Sequence, residues 1–501
     1  MSAQPKKSRT VGERIFIRGQ LVLETPASFG SGDKDGSTDM ALLYDSVERQ
    51  RPLLTGASIA GALRSYLWEA ERGYGRQENP KAAKEKKSLT ERLFGHLDDS
   101  NPDQRSSVQS WLAIDDALGT LPETGEPVEF RDGVAIDPKT GTAEDKKKFD
   151  IELLAAGTTF DLHFELWLPD EDKMLLSALA RALHGLETGQ IGLGRRKRRG
   201  YGQCKITGWS VSRYPMNQIE GVIGWLSEAA DRQVTYQPDI CHLLGVPQPG
   251  EHAGISFHLK ATFTLPDSLL IRSDGVGDNP VDMVHLRSWR KGKDRPILSG
   301  TSLAGAIRSR ARRIAITVKG EDAGRLLVNQ MFGRRIRKAN DEPSGSRVLM
   351  AETEVQNPID HLVQSRVKID RFTSGAYPQA LFSQQPLFGS ANGKNQVTIQ
   401  LELRQWADES DLFKAQVGLL LLVLKDLWTG DLPLGGERSV GRGRLQGESA
   451  HLLLPDQHWE LNQQPDSTMK IAGKGTATEL ESYVTAFHAW QPATRKENDG
   501  N

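Results

Sequence analysis

Cysteine is nearly absent from this 501-residue chain, which has only Cys204 and Cys241. Two thiols cannot form a disulfide framework or supply the four ligands of a structural zinc site, so we expect ordinary thiols. Long apolar runs are also lacking, since none approaches the ~20 residues that a membrane span needs. No apolar stretch follows the basic residues Lys6 and Lys7, so no secretory signal is expected. These absences favour a cytoplasmic protein with no membrane partner.

Net charge is close to zero, at −1, but the charges are unevenly distributed. Segment 287–338 carries 15 Lys or Arg against 3 Asp or Glu, a local net of +12. A second basic run consists of Arg195, Arg196, Lys197, Arg198 and Arg199. Such patches attract polyanions through phosphate contacts and counterion release. One charge run alone is usually a solvated surface, but both runs coincide with repeated glycine-rich segments, which favours nucleic acid as the partner.

One long phrase occurs twice in the chain. Segment 51–65 reads RPLLTGASIAGALRS, and segment 295–309 reads RPILSGTSLAGAIRS, an offset of 244 (295 − 51). Four flanking landmarks keep their order in both copies: an Asp-Met pair, a Phe-Gly pair, an Ile-Asp pair and a Leu-Gly loop that ends in Gly-x-Gly. Solenoid repeats have periods of ~20–50 residues, so a period this long indicates two whole domains in tandem.

The repeat predicts the division of the chain. We expect an N-terminal tail at 1–12, a first domain at 13–213, a linker at 214–252, a second domain at 253–455 and a polar C-terminal extension at 456–501. Alternating apolar and polar residues predict strands early and late in each half, and the late strands lead into helical stretches. The order β, α, then β, α, β predicts an α+β fold with helices on an antiparallel sheet.

The repeated helix has a suitable entrance for a phosphate group. Four hydroxyl side chains are candidate N-caps: Thr55 or Ser58 in the first copy, and Ser299 or Ser302 in the second. The adjacent Gly56 and Gly300 let a phosphate approach the unpaired amides at the positive end of the helix. We therefore expect both helix entrances to contact RNA.

Two further positions of the repeated helix are informative. Gly61 and Gly305 cost about 1 kcal/mol each inside a helix relative to alanine. A closely packed neighbour should therefore lie against them, and it is equally well a ligand or the protein's own sheet. Arg64 and Arg308 follow the apolar stripe and are placed to face phosphate.

Two glycine-containing motifs thus recur in the same order in both halves. The pattern Pro-x-Leu-x-Gly-x-Ser-x-x-Gly-x-x-Arg follows a Gly- and Asp-rich loop, and a Leu-Gly-(x)5-Gly-x-Gly loop comes late in each half. Over roughly residues 13–213 and 253–455, this ordered set resembles the RAMP proteins of CRISPR systems. More narrowly, the chain resembles the backbone subunits of type III effector complexes, with two modules fused as in type III-D complexes.

The resemblance implies a fold and a set of partners. The fold is two tandem ferredoxin-like domains of a modified RNA-recognition type, each with a thumb hairpin, here at 131–152 and 366–385. The partners are a CRISPR guide RNA, a target RNA and other subunits of the effector complex. RNA contacts are expected from the basic run, from the repeated helix, and from Arg438 and Arg442 in the late loop of the second half. The target sequence would be read by base pairing with the guide.

The resemblance also implies a cleavage site in each half. In this family, target-RNA cleavage depends on an aspartate in the loop before the repeated helix, which by position is Asp39 or Asp282. A carboxylate can hold Mg²⁺ or another divalent metal, or orient the attacking 2′-hydroxyl. The implied activity is a metal-dependent endoribonuclease that leaves a 2′,3′-cyclic phosphate. Neighbouring aspartates at 33, 35, 274 and 278 are competing candidates, and a loop aspartate is often a turn former.

Two other functions remain open. The chain could be a non-catalytic RNA-binding scaffold in which one or both sites are silent. It could also be a guide-processing RAMP endoribonuclease, a chemistry that usually depends on histidine. The second is disfavoured because no histidine holds an equivalent place in both halves.

Overall fold

The computed structural model describes most of the chain, and all structural statements here concern those residues. The described ranges are 10–30, 41–48, 50–76, 88–98, 106–137, 140–169, 172–227, 234–250, 254–275, 281–334, 344–390, 395–406, 409–466 and 468–492. The predicted site residue Asp39 lies outside them, as do the neighbouring aspartates at 33, 35 and 278.

The first half alternates strands and helices along an antiparallel sheet. Its strands are β1 (Glu13–Leu23), β2 (Leu53–Leu54), β3 (His96–Asp98), β4 (Ser106–Val108), β5 (Leu112–Ile114), β6 (Ala117–Thr120), β7 (Val128–Ile136), β8 (Ala143–Leu154), β9 (Thr159–Leu168) and β10 (Cys204–Pro215). Its helices are α1 (Gly56–Arg72), α2 (Leu89–Phe94) and α3 (Lys173–Glu187). The sheet order is β10-β1-β9-β6-β2, with β5 also paired to β9.

Strand β1 is an inner strand of this sheet, with apolar residues at alternate positions and a long strand on each side. Ile17 pairs with Phe164 of β9 on one side and with Val211 of β10 on the other, both antiparallel. Helix α1 buries Ile59 and Leu63, which recur at four-residue spacing and so share one helix face. This face and α3 form one core with the sheet.

The second half repeats this order with additional strands. Helices α4 (Ile219–Leu226) and α5 (Ile240–Leu244) lie between the halves. The strands are β11 (Ser256–Thr264), β12 (Ser268–Leu269), β13 (Arg272–Asp274), β14 (Met283–His285), β15 (Arg287–Arg290), β16 (Lys293–Leu298), β17 (Val348–Met350), β18 (Thr353–Gln356), β19 (Gln364–Ile369), β20 (Ala376–Gln385), β21 (Leu387–Phe388), β22 (Gln396–Arg404), β23 (Gln446–Leu454), β24 (Gln457–Gln463) and β25 (Met469–Gly473). The helices are α6 (Gly300–Lys319), α7 (Glu321–Phe332), α8 (Ser410–Trp428) and α9 (Ala477–Ala489).

Strand β11 of the second sheet corresponds to β1 of the first. Strand β11 lies between β22 and β23, and Ala261 pairs with Ile399 and with Ala450. Strands β1 and β11 share one irregularity, a register shift against the strand that follows the glycine-rich loop (β10 or β23), which occurs after Gln20 in β1 and after Thr262 in β11. The predicted α+β fold with two tandem, related domains is therefore confirmed.

The C-terminal extension is folded where the structure describes it. Strands β24 and β25 extend the second sheet, and α9 packs against α8. Trp459 and Phe487 are fully buried, and the Trp459 Nε1 donates a hydrogen bond to the Thr476 carbonyl at 3.1 Å. The expected polar tail is thus corrected, because apolar residues at alternate positions of β24 complete the core of the second half.

The linker and the two thiols also belong to the folded structure. Helix α5 contributes Ile240 and Leu244 to the core of the first half. Cys204 and Cys241 are both buried and free, and burial raises the pKa of Cys204 to about 12 and that of Cys241 to about 11. Both are ordinary thiols, as expected. In the described residues, no helix has the length and apolar character to cross a membrane.

The halves meet through a network of buried charges. Glu352 of the second half has a fully buried side chain that contacts Arg131 of the first half at 3.3 Å and also contacts Arg290. Glu129 lies 2.6 Å from Arg131 and accepts a hydrogen bond from the Ser288 hydroxyl at 2.6 Å. Although burial opposes the charge, Glu352 and Glu129 together raise the pKa of Arg131. The network fixes the first half against the second.

Candidate nucleic-acid interface

The repeated helix is capped in the same way in both halves. Thr55 is the N-cap of α1, and its hydroxyl accepts a hydrogen bond from the Ser58 amide at 3.3 Å. Ser299 is the N-cap of α6 and accepts from the Ser302 amide at 3.4 Å. In each helix the two hydroxyl oxygens are 2.9 Å apart. Of the two candidates per helix, the caps are therefore Thr55 and Ser299.

Protein groups already occupy the first turn of each repeated helix. The Gly56 amide donates to Asp116 Oδ1 at 2.7 Å. A Cβ at Gly300 would lie 2.2 Å from the carbonyl oxygen of Arg199 and 2.8 Å from that of Met350. Both glycines are needed because other groups approach the backbone closely. The bond to Asp116 argues against the expected phosphate contact at the Gly56 amide. A phosphate contact at the Gly300 amide stays a prediction.

The mid-helix glycines, by contrast, face open space. Gly61 and Gly305 are exposed, and among the described residues nothing lies within 4 Å of where their Cβ atoms would be. Within the described part of the chain, the two glycines are therefore not there to let the helix pack against the protein's own sheet. In the first half, Gly61 lines a cleft of about 320 Å³ together with Ala57, Ala60 and Arg64. This smooth helix face is accessible to a ligand.

The repeated arginines contribute to the fold. Arg64 Nη1 donates to the carbonyl of Gly95 at 3.1 Å, and Arg308 Nη2 donates to the carbonyl of Gly333 at 2.9 Å. Both glycines have positive φ and follow the helices α2 and α7. Each arginine thus ties the repeated helix to the end of the next one, which explains why the Phe-Gly landmark recurs. Their contact with phosphate stays a prediction.

The basic run forms a turn with several desolvated cations. Arg196 adopts a left-handed backbone, with φ 54°, and its guanidinium lies 4.3 Å from the centre of the Phe149 ring. Arg198 lies 5.3 Å from the Tyr74 ring centre. Burial, with Arg308 nearby, lowers the pKa of Arg199 to about 10. Burial also lowers the pKa of Lys197. Arg195, at the start of the run, is exposed. The run is therefore a concentrated positive site rather than a solvated surface.

The corresponding loop of the second half divides its two arginines between different roles. Arg438 is exposed. Arg442 is buried, and its guanidinium donates to Glu437 at 2.7 Å, to Gln364 at 2.7 Å and to Ser268 at 3.1 Å. The expected RNA contact by Arg442 is therefore corrected, because its donors are used to hold the loop against the base of the β19–β20 hairpin.

Two hairpins correspond to the expected thumbs. The first hairpin, β7 with β8, and the second hairpin, β19 with β20, begin three and two residues before the predicted bounds. Both present apolar side chains to solvent: Phe130, Val134 and Ile136 in the first, and Val367, Ile369, Phe372, Tyr377 and Leu381 in the second. Phe372 is 94% exposed. Exposed apolar patches mark interaction sites, and aromatic rings suit stacking on bases.

Asp282 lies immediately before β14, beside the second hairpin. It is exposed, and its Oδ2 accepts hydrogen bonds from the amide of Ser383 at 2.7 Å and from the hydroxyl of Ser383 at 2.9 Å. These two bonds lower the pKa of Asp282, so its carboxylate is ionised at neutral pH. Among the described residues, no group of three His, Cys, Asp or Glu side chains is placed to hold a metal ion.

Comparison with known protein families decides the assignment. The model of the RAMP superfamily matches residues 20–205 and, separately, 269–446. The chain belongs to the RAMP superfamily. No curated protein matches its sequence at a significant level. Membership of this family makes the chain a CRISPR-associated RNA-binding protein.

The two matches enclose the features described above, one RAMP domain each. Both contain a repeated helix, a hairpin and a glycine-rich loop, and they include Asp39 and Asp282. Sequence reasoning missed the exposed apolar residues of the hairpins and the Ser383 partner of Asp282. The sequence does indicate the exposed hairpin residues, since the aromatic residues Phe372 and Tyr377 lie within a polar segment. It does not indicate the Ser383 partner, because 101 residues separate Ser383 from Asp282.

Proposed function

We propose that this chain is a guide-RNA-binding backbone subunit of a type III CRISPR effector complex, in which two RAMP modules are fused as in type III-D. The observation that carries the proposal is the pair of hairpins, whose apolar side chains reach into solvent. The basic run lies beside the first hairpin, where Arg196 is over Phe149, and the loop with the exposed Arg438 is bonded to the second through Arg442. The basic loops would contact the guide backbone. The hairpins would insert between segments of the guide–target duplex.

We further propose that each half cleaves the target RNA, at Asp39 and at Asp282. An ionised aspartate is a weak general base, so Asp282 suits orienting the 2′-hydroxyl of the target better than removing its proton. The 2′-oxygen attacks the adjacent phosphorus, and the bond from phosphorus to the 5′-oxygen breaks. The 2′-proton is lost to solvent and the leaving 5′-oxygen gains one. The products are a 2′,3′-cyclic phosphate and a 5′-hydroxyl.

The described residues fit a divalent cation in one respect. Hydrogen bonds from Ser383 occupy Asp282 Oδ2, which leaves Oδ1 as a possible ligand. Mg²⁺ is commonly held by one or two carboxylates together with phosphates and water, so a single carboxylate oxygen is compatible with it. Mg²⁺ would supply charge stabilisation at the scissile phosphate.

The test is cleavage of a guide-complementary RNA by the reconstituted complex that carries Asp39→Ala, Asp282→Ala or both. Each single change should remove one cut, and the pair should remove both. Asp274→Ala tests the competing candidate that the structure describes, an exposed aspartate at the end of β13, eight positions before Asp282 (282 − 274). It should leave both cuts intact.

The outcomes separate the proposed nuclease from a non-catalytic scaffold. Unchanged cuts in the double variant would refute the assignment of both aspartates. A wild-type complex that binds guide and target but makes no cut would identify the chain as a scaffold. Because each half is tested against the other in the same complex, a general assembly defect would appear as the loss of both cuts in a single variant.

A further inference from the structure

Asp282 is attached to the second hairpin by three hydrogen bonds to a single residue. Besides the two bonds that Oδ2 accepts from Ser383, the Asp282 amide donates to the Ser383 hydroxyl oxygen at 3.1 Å. The hydroxyl can do both at once, since it donates its proton to the carboxylate and accepts from the amide. The ring of bonds fixes both the backbone and the side chain of Asp282.

The position of Ser383 on β20 places Asp282 at the start of a paired strand. Strand β14 begins at the next residue, and it pairs in parallel with β20, with Met283 opposite Gln384. The attachment therefore aligns Asp282 with β20, the second strand of the hairpin. It occupies one carboxylate oxygen, Oδ2, and so determines which way Oδ1 points.

The first hairpin shows that its fold does not require serine here. Ser365 pairs with Ser383 in the second hairpin, and Asp132 pairs with Asp150 in the first. Both strands of the two hairpins are related by the same offset of 233 positions (383 − 150 and 365 − 132). Asp150 thus replaces Ser383, and its side chain lacks the serine hydroxyl that donates to the carboxylate and accepts from the amide. The serine is consequently specific to the second half.

We propose that Ser383 is a positioning residue that orients the Asp282 carboxylate toward the target RNA in the second half. This inference rests on the proposed cleavage at Asp282. It makes the two cuts mechanistically unequal, because the first half has no hydroxyl at the corresponding position. Loss of the Ser383 hydroxyl should slow the cut of the second half, with little effect on target binding.

The experiment uses single-turnover cleavage by the reconstituted complex, with the two cuts followed separately. Ser383→Ala should lower the rate constant of the second-half cut by between about tenfold and one-hundredfold through lost orientation. The target concentration at half-maximal rate should stay unchanged, and Ser383→Thr, which keeps the hydroxyl, should restore the rate. The first-half cut in the same reaction is the internal control. Ser365→Ala, an exposed position on the opposite strand, is the matched variant and should change neither cut.

A second measurement does not depend on cleavage. In Ser383→Ala, amide hydrogen exchange should rise in the peptide that spans 281–285, and Ser365→Ala should leave it unchanged. An unaltered second-half rate in Ser383→Ala would overturn the inference while Asp282→Ala still removes that cut. Equal slowing of both cuts would also overturn it, because it would indicate a defect of the hairpin or the assembly. If Asp282→Ala leaves the cut intact, the proposed cleavage site fails and this inference fails with it.

Discussion

Glu352→Gln tests whether the buried charges at the junction hold the two halves together. The Glu352 side chain is fully buried, and the side chains of its partners Arg131 and Arg290 are only 4% and 9% exposed. The substitution keeps the size of the side chain and removes its charge. Glu129 then remains as the one carboxylate of this network beside two buried guanidinium groups.

The structure sets the expected magnitude. Breaking a buried ion pair by removing one partner costs about 3–5 kcal/mol, because the other charge stays desolvated. Arg131 keeps Glu129 at 2.6 Å, and glutamine keeps one acceptor oxygen, so the lower end applies. We therefore expect Glu352→Gln to lower the free energy of unfolding of the chain by about 3 kcal/mol. A surface pair of the same chain should behave differently, since exposed pairs contribute about 0–1 kcal/mol.

The assay is urea unfolding of the full chain, followed by tryptophan fluorescence. Trp289 is an intrinsic reporter, because its ring lies against Gly125 of the first half. Glu48→Gln is the control, since Glu48 contacts Arg51 at 3.5 Å and is 56% exposed. A loss smaller than about 1 kcal/mol in Glu352→Gln, or an equal loss in the control, would refute the claim that desolvated charge stabilises the junction.

Three further predictions concern single positions. Gly305→Ala should stabilise the fold by about 1 kcal/mol, because the glycine is exposed in the middle of a helix. The same change should weaken guide binding, because the added methyl group covers the open helix face. A rise in Tm with unchanged guide affinity would contradict a ligand at this face. Arg442→Met should lower Tm, whereas Arg438→Ala should leave Tm unchanged and reduce the salt dependence of guide binding; the reverse pattern would contradict their assignments. Burial of His285 lowers its pKa from 6.5 to about 4. The free energy of unfolding should therefore be highest above pH 6.5 and fall by about 3 kcal/mol as the pH drops toward 4. In thermal melts, the Tm of His285→Gln should lack this dependence on pH.

The sequence predicted the fold where one pattern determines one structure. The doubled phrase predicted two domains, and the apolar stripe of the repeated helix is the buried face of α1, with Ile59, Leu63 and Leu67. Alternation in 256–265 determined β11. The same rule, applied to 457–463, would have found β24, where Trp459 and Leu461 point inward. This alternating pattern is short, and the overall polarity of the extension conceals it.

The site was less predictable because long-range partners decide the role of a polar residue. Arg438 and Arg442 are four positions apart in one glycine-rich loop, yet one is exposed and the other is buried among Glu437, Gln364 and Ser268. No local spacing distinguishes them. Burial follows from where the hairpin base meets the loop, and that contact is a property of the assembled domain.

The two halves attach this loop to the hairpin by different chemistry. In the first half, Tyr201 packs with Ile151 and Leu153 in a small apolar cluster. In the second half, Arg442 occupies the place of Tyr201 and bonds to Gln364 and Gln384. Apolar packing tolerates small shifts, whereas hydrogen bonds to a buried guanidinium hold one geometry. The duplication therefore preserved the attachment and allowed its rigidity to differ. Ser383 lies next to Gln384, on the hairpin that hydrogen bonds hold to the loop. Its own bonds to Asp282 can therefore keep the carboxylate in one orientation.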